Sequence, residues 1–568
     1  LKHRLRLAAL LAGRVRSKLR RGFGAVPHAF TLLRAQVPDR LLIAPQDIRT
    51  SDPAVAADIY AGYFALGGKI VNAHGRSPFD LESQSPDWAR ALCGFGWLRH
   101  LRAADTALAR ANARVLVEDF LNASSRPSLS PGWETRVVAR RILAWLSQSP
   151  IILDGADRDF YRRFMKGLLR AQVFLERALA AGPDGEERLF ALIALEEFGL
   201  CAQGATKLRR KTTKLLGDEL DRQILADGGH ISRNPQMLID LLLDLLPLRQ
   251  AYGARGQQPP PQLLNAIDRM LPMLRLLRHN DGTLALFNGM GVTAPELLAT
   301  LLAYDDARAQ ALTNAPHSGY QRLEAEAALV IVDSGRPPPP AFSGAAHAGC
   351  LSFEFSVDAQ RLVVNCGVPG SARSSVRQLA RMTAAHSTLV IEDMSSCGFA
   401  FHSNFKKWLG TAILSGPETV TVERQSYSGA AMLLLSHDGY LPQFGLLHMR
   451  RLILAADGTS FAGTDMLERA GRRVAKGTPA DFCLRFHIHP NVQLECAEGD
   501  RAVLCYLPDG AIWVFEADGR PIRVEESIFF AAPDGARRCE QIVVSGQSDV
   551  KAELNWTFQQ LERPSPVT

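Results

Sequence analysis

Four consecutive prolines, Pro337 to Pro340, follow Gly335-Arg336, and the hydrophobic rhythm of the chain changes across them. Proline lacks an N–H and fixes φ, so four in a row exclude a helix interior and give a stiff, extended connection. Before them, from about residue 50 to 315, apolar residues recur at helical spacing. Residues 57–68, 88–121, 135–148, 158–181, 188–202, 211–225 and 234–253 read as helices, with Gly, Pro, Asp or Ser in the connections. No fixed short period indicates a solenoid, so the reading is one globular array of paired helices. After the prolines, short β-branched and aromatic runs such as 502–507, 511–517, 541–546 and 553–558 are separated by turn residues at sandwich-like spacing. Leu329 to Val332 already reads as a strand of that second part. A chain of 568 residues is too long for one core. The expected boundaries are a basic amphipathic segment over 1–40, a helical domain over 41–317 and a β-domain over 318–568.

The composition, 47% hydrophobic and 22% charged, is that of an ordinary soluble protein, and no run reaches the ~18–20 apolar residues of a membrane span. A net charge of +7 favours an anionic partner slightly. Basic segments are scattered and no aromatic-interleaved basic patch stands out, so nucleic acid is not expected. Nine cysteines with no C-x-x-C argue against a disulfide framework and a zinc knuckle, and lean toward buried thiols in a reducing compartment. Residues 1–21 carry eight Lys or Arg, no acid, and Leu7, Leu10, Leu11, Val15 and Leu19 on one helical face. Two readings stand: a helix lying on a membrane surface, or one docked on the body of the protein. It is a poor signal peptide, because basic residues follow the apolar core where a cleavage site belongs.

Two stretches carry candidate chemistry. In residues 223–250, Asp227-Gly228-Gly229 is a turn, and Asn234-Pro235 is a helix start with Asn as cap and Pro first. His230, Arg233 and Asn234 therefore flank a helix N-terminus, an arrangement suited to a carboxylate. The polar, Gly-rich residues 279–291 line the same cleft in this reading, with Asn288 touching substrate. In residues 343–392, His347 and His386 precede apolar β-like runs and Asn365 ends a third. Two imidazoles and an amide on one rim of a sheet are candidate ligands for a divalent cation, zinc first.

The second stretch resembles the C-terminal module of heparinase II/III-type polysaccharide lyases. The segments HAGCLSFE (347–354), VNCG (364–367) and RMTAAHSTL (381–389) match that family's motifs in order and spacing. The resemblance implies an N-terminal incomplete α/α toroid followed by a C-terminal antiparallel β-sandwich. It implies β-elimination on a uronic-acid-containing anionic polysaccharide, and a periplasmic or envelope location. Such a reaction needs a group that neutralises the uronate carboxylate, a base for the C5 proton and an acid for the departing oxygen. Arg233 and Asn234 are the expected carboxylate partners and His230 the base, with Glu187 and Tyr320 as further candidates. Family positions are altered: Met237 stands at the Tyr position, Ala345 where a His precedes His347, and Asn365 in place of the metal-binding Asp. The alternative is a catalytically silent glycan-binding or envelope-assembly protein on the same scaffold.

Overall fold

The computed structural model describes Leu11 and residues 36–562, apart from 83–84, 125–126, 183–184, 305–310, 371–373, 403–408, 428, 471–478, 498, 500 and 549–551. The basic amphipathic face expected over residues 1–21 lies outside the described residues.

The chain forms two compact units. One runs up to Gln223 and takes Asp240–Ile267 as well; the other holds Ile224–Ile239 and everything from Asp268 on. The division passes through the helices Pro235–Ala254 and Pro261–Leu276. The packing thus groups the turn at 224–235 with the residues on both sides of the proline run.

The first unit is built of helices. Polar caps start them where the sequence offers one: the Ser85 hydroxyl accepts from Trp88 N, Thr106 from Ala109 N, and Asp157 from Phe160 N at the head of Arg158–Ala180. The core is aromatic, with Phe95 packed on Phe120 and Trp145 at ring separations of 5.2 and 5.3 Å. Two expected helices are divided. Residues 57–68 end as a helix at Tyr60 and continue as a hairpin, Tyr63–Leu66 on Lys69–Asn72. Gly67 and Gly68 both take positive φ, which a two-residue hairpin turn demands and a helix cannot use. The apolar period over 88–121 is carried by three helices, Pro86–Gly94, Leu98–Ala104 and Ala107–Ala123, broken where Phe95 and Asp105 enter the left-handed region.

The second unit carries two antiparallel sheets. In the eight-stranded sheet the order is Val420–Tyr427, Ala430–His437, Leu446–Leu454, Ser460–Arg469, Ala552–Glu562, Ile512–Glu516, Ala502–Tyr506, Gln493–Cys496. The nine-stranded sheet runs Ile522–Phe529, Arg537–Gln547, Asp481–Ile488, Gln360–Val364, Phe353–Val357, Ala328–Asp333, Tyr320–Ala325, Asn314–Ala315, with Leu389–Ile391 also on Asp481–Ile488. Strands such as Ile512–Glu516 alternate buried and half-buried, placing Trp513 and Phe515 inward. They meet Phe353, Phe355, Phe461, Phe486, Trp556 and Phe558 in one core. The period-2 text after the prolines therefore folds as antiparallel sheet, as expected, and the short helices Ser374–Leu379 and Leu441–Phe444 interrupt it only between strands.

Candidate functional site

The site is assembled wholly within the sheet-bearing unit. Asn234 does cap: its Oδ1 accepts from Gln236 N at 2.9 Å, and Pro235 opens the helix. The residue before it, Arg233, sits at φ 61°, a region that L side chains seldom adopt. What holds it there is a complete set of acceptors. Its Nε donates to Ser318 O at 2.6 Å, Nη1 to Gly335 O and Arg336 O at 3.1 Å each, and Nη2 to Gly319 O at 3.0 Å and to Asp333 Oδ1. A guanidinium has five N–H donors, and all five are used. The charge lies 4.9 Å over the Tyr320 ring. Burial alone would lower its pKa, but Asp333 outweighs that and raises it. Gly335 makes room for it, since a Cβ there would fall 2.4 Å from Arg233 Cζ. Arg233 was expected to grip a uronate carboxylate. It has no N–H left to give one, and acts as a clamp between its own turn and the segment leading into the prolines.

His230 is buried, with Nδ1 2.7 Å from Ser232 Oγ and accepting from Ser232 N at 3.1 Å. That nitrogen's lone pair is already engaged, which argues against its use as a base for substrate. Tyr320 donates its hydroxyl proton to Arg233 O and accepts from Asn288 Nδ2 at 2.9 Å. Burial pushes its phenol above the ordinary range, with Arg233 opposing, so it is a poor base near neutrality. Asn288 is spent as well. Its Nδ2 also donates to Asp333 Oδ2 at 2.9 Å, and its Oδ1 accepts from His347 N at 3.2 Å. The fold brings Arg233, Asn288, Tyr320 and His347 together, as a network of internal bonds around Asp333.

His347 and His386 are direct neighbours, with Nδ1 of the first 2.8 Å from Nε2 of the second. The tautomers follow from the partners. His386 Nδ1 lies 2.8 Å from Met382 O, so it carries a proton and its Nε2 is an acceptor. His347 Nδ1–H then donates to it, which leaves His347 Nε2 as a bare lone pair, buried and without a partner among the described residues. Burial, reinforced by His386, pulls the His347 pKa far down, and burial likewise lowers that of His386.

A zinc ion would need His347, His386 and Asn365 to converge with free lone pairs. Two ligand nitrogens on one tetrahedral zinc stand about 3.4 Å apart, with the metal between them. Here the pair shares a proton instead. Asn365 is committed elsewhere: its Oδ1 accepts from Ser387 N at 3.0 Å, and its Nδ2 donates to Glu354 Oε1 at 3.2 Å. Among the described residues no cluster of three or more His, Cys, Asp or Glu is placed to hold a metal ion. The three expected ligands do not fit zinc in this arrangement.

Glu354 was missed as a site residue although it ends the LSFE motif. It is fully buried and accepts from Leu286 N, Asn365 N, His279 Nε2 and Arg361 Nη2. Burial would raise its carboxyl, but Arg361, His279 and these N–H donors outweigh it and bring it down to about 2. Asp333 was missed too, and its one signal is its place at the end of the run Leu329 to Val332. Glu187 belongs to the other unit, exposed in the first turn of the helix Glu186–Cys201. A groove of about 1060 Å³ runs beside Arg233, lined by Pro337 to Pro340, His317 and Arg336.

These sheets and motifs define a known class. Residues 307–557 match the family described as heparinase II/III-like, C-terminal, and the chain belongs to the heparinase II/III-like proteins. A more particular likeness is to FtsZ-localized protein C of Caulobacter vibrioides (strain NA1000 / CB15N), which is 31% identical over 563 residues, 96% of this chain and 94% of that protein. Among solved structures, a heparinase III superposes with a TM-score of 0.65 over 87% of this chain and 80% of its own, at 12% identity. The heparan sulfate lyase from Pedobacter heparinus superposes with a TM-score of 0.60 over 95% and 88%, at 13% identity. At such identities the likeness is one of fold: an incomplete α/α toroid followed by an antiparallel β-sandwich.

Proposed function

We propose that this chain is a catalytically silent assembly protein of the division site, which keeps the heparinase-type scaffold and uses it to hold a partner or an envelope glycan. The observation that carries the reading is the five-fold internal bonding of Arg233. A carboxylate-neutralising group must keep donors for its substrate, and this one keeps none. Tyr320 and Asn288 are consumed in the same network, and Met237 and Ala345 occupy two proton-transfer positions of the family. The end-to-end likeness to a protein named for its localisation with FtsZ supports the same reading. The groove beside the prolines, with Arg336 and Arg424 along it, offers positive charge to an anionic glycan strand.

A second reading, a polysaccharide lyase acting on a uronate glycan by β-elimination, is favoured by one observation. His347 Nε2 is a bare, unpartnered lone pair, the form a general base requires.

The test measures both. Purified protein is incubated with heparan sulfate and with polyuronates while the ultraviolet absorbance of a new C4=C5 bond is followed, and it is centrifuged with FtsZ polymers. Silence in the first assay and co-pelleting in the second are expected. An absorbance rise that His347→Ala abolishes establishes the lyase instead. Failure to pellet with FtsZ polymers removes the division-site assignment.

A further inference from the structure

The helical unit contains a cavity of about 370 Å³ that neither the family motifs nor the proposed function uses. Its volume is at the lower end of small-molecule sites, about 300–1,000 Å³. One wall is apolar, formed by Phe120, Leu121 and Leu169. Arg141, Lys166 and Arg170 also line the cavity, and among the described residues no carboxylate forms an ion pair with any of the three.

Arg141 is the unusual member. It is 1% exposed, yet no carboxylate among the described residues supplies it a counter-charge. Its Nη1 donates to Cys93 O and Gly132 O at 3.2 and 3.1 Å, while its Nη2 is buried with no acceptor among the described residues. The Phe120 and Trp133 rings stack on it at 4.6 and 4.9 Å. Burial depresses its pKa to about 10, and neighbouring Arg170 pushes the same way. Trp145, 1% exposed, lines the same cavity, and its Nε1–H is also buried without an acceptor. A buried cation with a spare donor is costly unless an anion completes it. Arg233 and Arg450 have a carboxylate in contact, and Arg381, buried without one, spends its donors on Ala346 O, Thr411 O and Ser343 O.

We infer that this cavity binds an amphipathic anion, its carboxylate or phosphate head at Arg141 and its aliphatic body against Phe120, Leu121 and Leu169. The cations select the head by charge-assisted hydrogen bonds. The apolar wall selects the body, and Lys166 and Arg170 at the rim draw the ligand in.

Octyl phosphate below its aggregation threshold is the probe, titrated into the full chain and followed by tryptophan fluorescence and calorimetry. Saturable one-to-one binding is expected, at least tenfold tighter than inorganic phosphate or octanol. Arg141→Gln and the half-buried rim variant Arg170→Gln should each weaken it tenfold or more. Because Arg141→Gln can unfold the unit, Leu169→Trp serves as a filling variant that keeps every charge, and it should abolish binding. No saturable binding to the natural chain overturns the inference, and so does binding that survives both Arg170→Gln and Leu169→Trp. Inorganic phosphate binding as tightly as octyl phosphate overturns the amphipathic assignment. Pelleting with phosphatidic acid vesicles, lost in Arg170→Gln, assigns the head to a lipid; octyl phosphate binding without pelleting assigns it to a free molecule.

Discussion

The two units bury charge in opposite ways. In the sheet-bearing unit each buried carboxylate among the described residues faces a cation or an imidazole: Asp333 has Arg233, Glu354 has Arg361 and His279, and Asp465 has Arg450 and His448. The helical unit pairs Asp244 and Glu219 with arginines but leaves two other buried charges poorly matched among the described residues. Arg141 has no carboxylate, and Glu197, fully buried near Asp244, is pushed up to about 8, by burial first and then by Asp244. Perturbed, unmatched groups mark places where a ligand or proton completes the structure, and matched groups mark structure already complete. The family motifs therefore lie in the unit whose buried carboxylates are all paired, although buried donors without an acceptor among the described residues occur in both units, Arg450 Nη2 and Trp513 Nε1 in this one and Arg141 Nη2 and Trp145 Nε1 in the other. Motif matching and the pairing of buried charges point to different parts of this molecule.

The largest effect expected from that contrast is acid sensitivity of the sheet-bearing unit. Burial holds His279, His347, His386, His437, His448, His487 and His489 below their ordinary pKa, His487 near 3 and His489 near 4. An unfolded chain takes up protons below about 6.5 that the folded one refuses, so this stability is complete above 6.5 and is lost as pH falls toward the folded values. Glu354, at about 2 folded against 4.5 unfolded, extends the loss in the same direction below 4.5. Urea unfolding at pH 7 and pH 5 should show a loss of at least about 3 kcal/mol, and hydrogen exchange should place it in the sheets. A flat profile, or a loss confined to the helices, breaks the comparison.

Next in size is Arg233→Ala. It strands Asp333 and four backbone carbonyls, and should cost about 3–5 kcal/mol in denaturant unfolding. A cost below 1 kcal/mol would mean the guanidinium is not a clamp, and would return it to the list of substrate contacts. Tyr320→Phe sharpens the point with a smaller change, removing one hydroxyl that bridges Arg233 O and Asn288, for about 1–3 kcal/mol. The smallest expected effect is that of zinc. Since any metal bound to the folded state alone raises the melting temperature by mass action, chelation followed by added zinc should leave it unchanged. A rise that His386→Ala removes would show that the histidine pair opens to take a metal.

Much of the architecture was legible in the chain. Helices give way to strands after Pro295–Ala303, at Asn314–Ala315, Tyr320–Ala325 and Ala328–Asp333, shortly before the prolines that set off the change of period, and Asn234-Pro235 starts a helix where capping chemistry says it should. These are local properties, since a residue's own φ, its N–H and its nearest apolar neighbours set them. The hairpin at 63–72 was hidden because its apolar residues also satisfy a helical period, and only the paired Gly67-Gly68 turn distinguishes the two. The fates of the site residues were not local. Arg233 finds its five acceptors 85 to 103 residues further along, and His347 meets His386 across 39. The sequence by itself determined which groups are present and in which element each one starts. Whether Arg233 offers its donors to a ligand or spends them on the fold was decided only by tertiary structure, because a hydrogen bond is used up by whichever acceptor the packing brings within 3 Å.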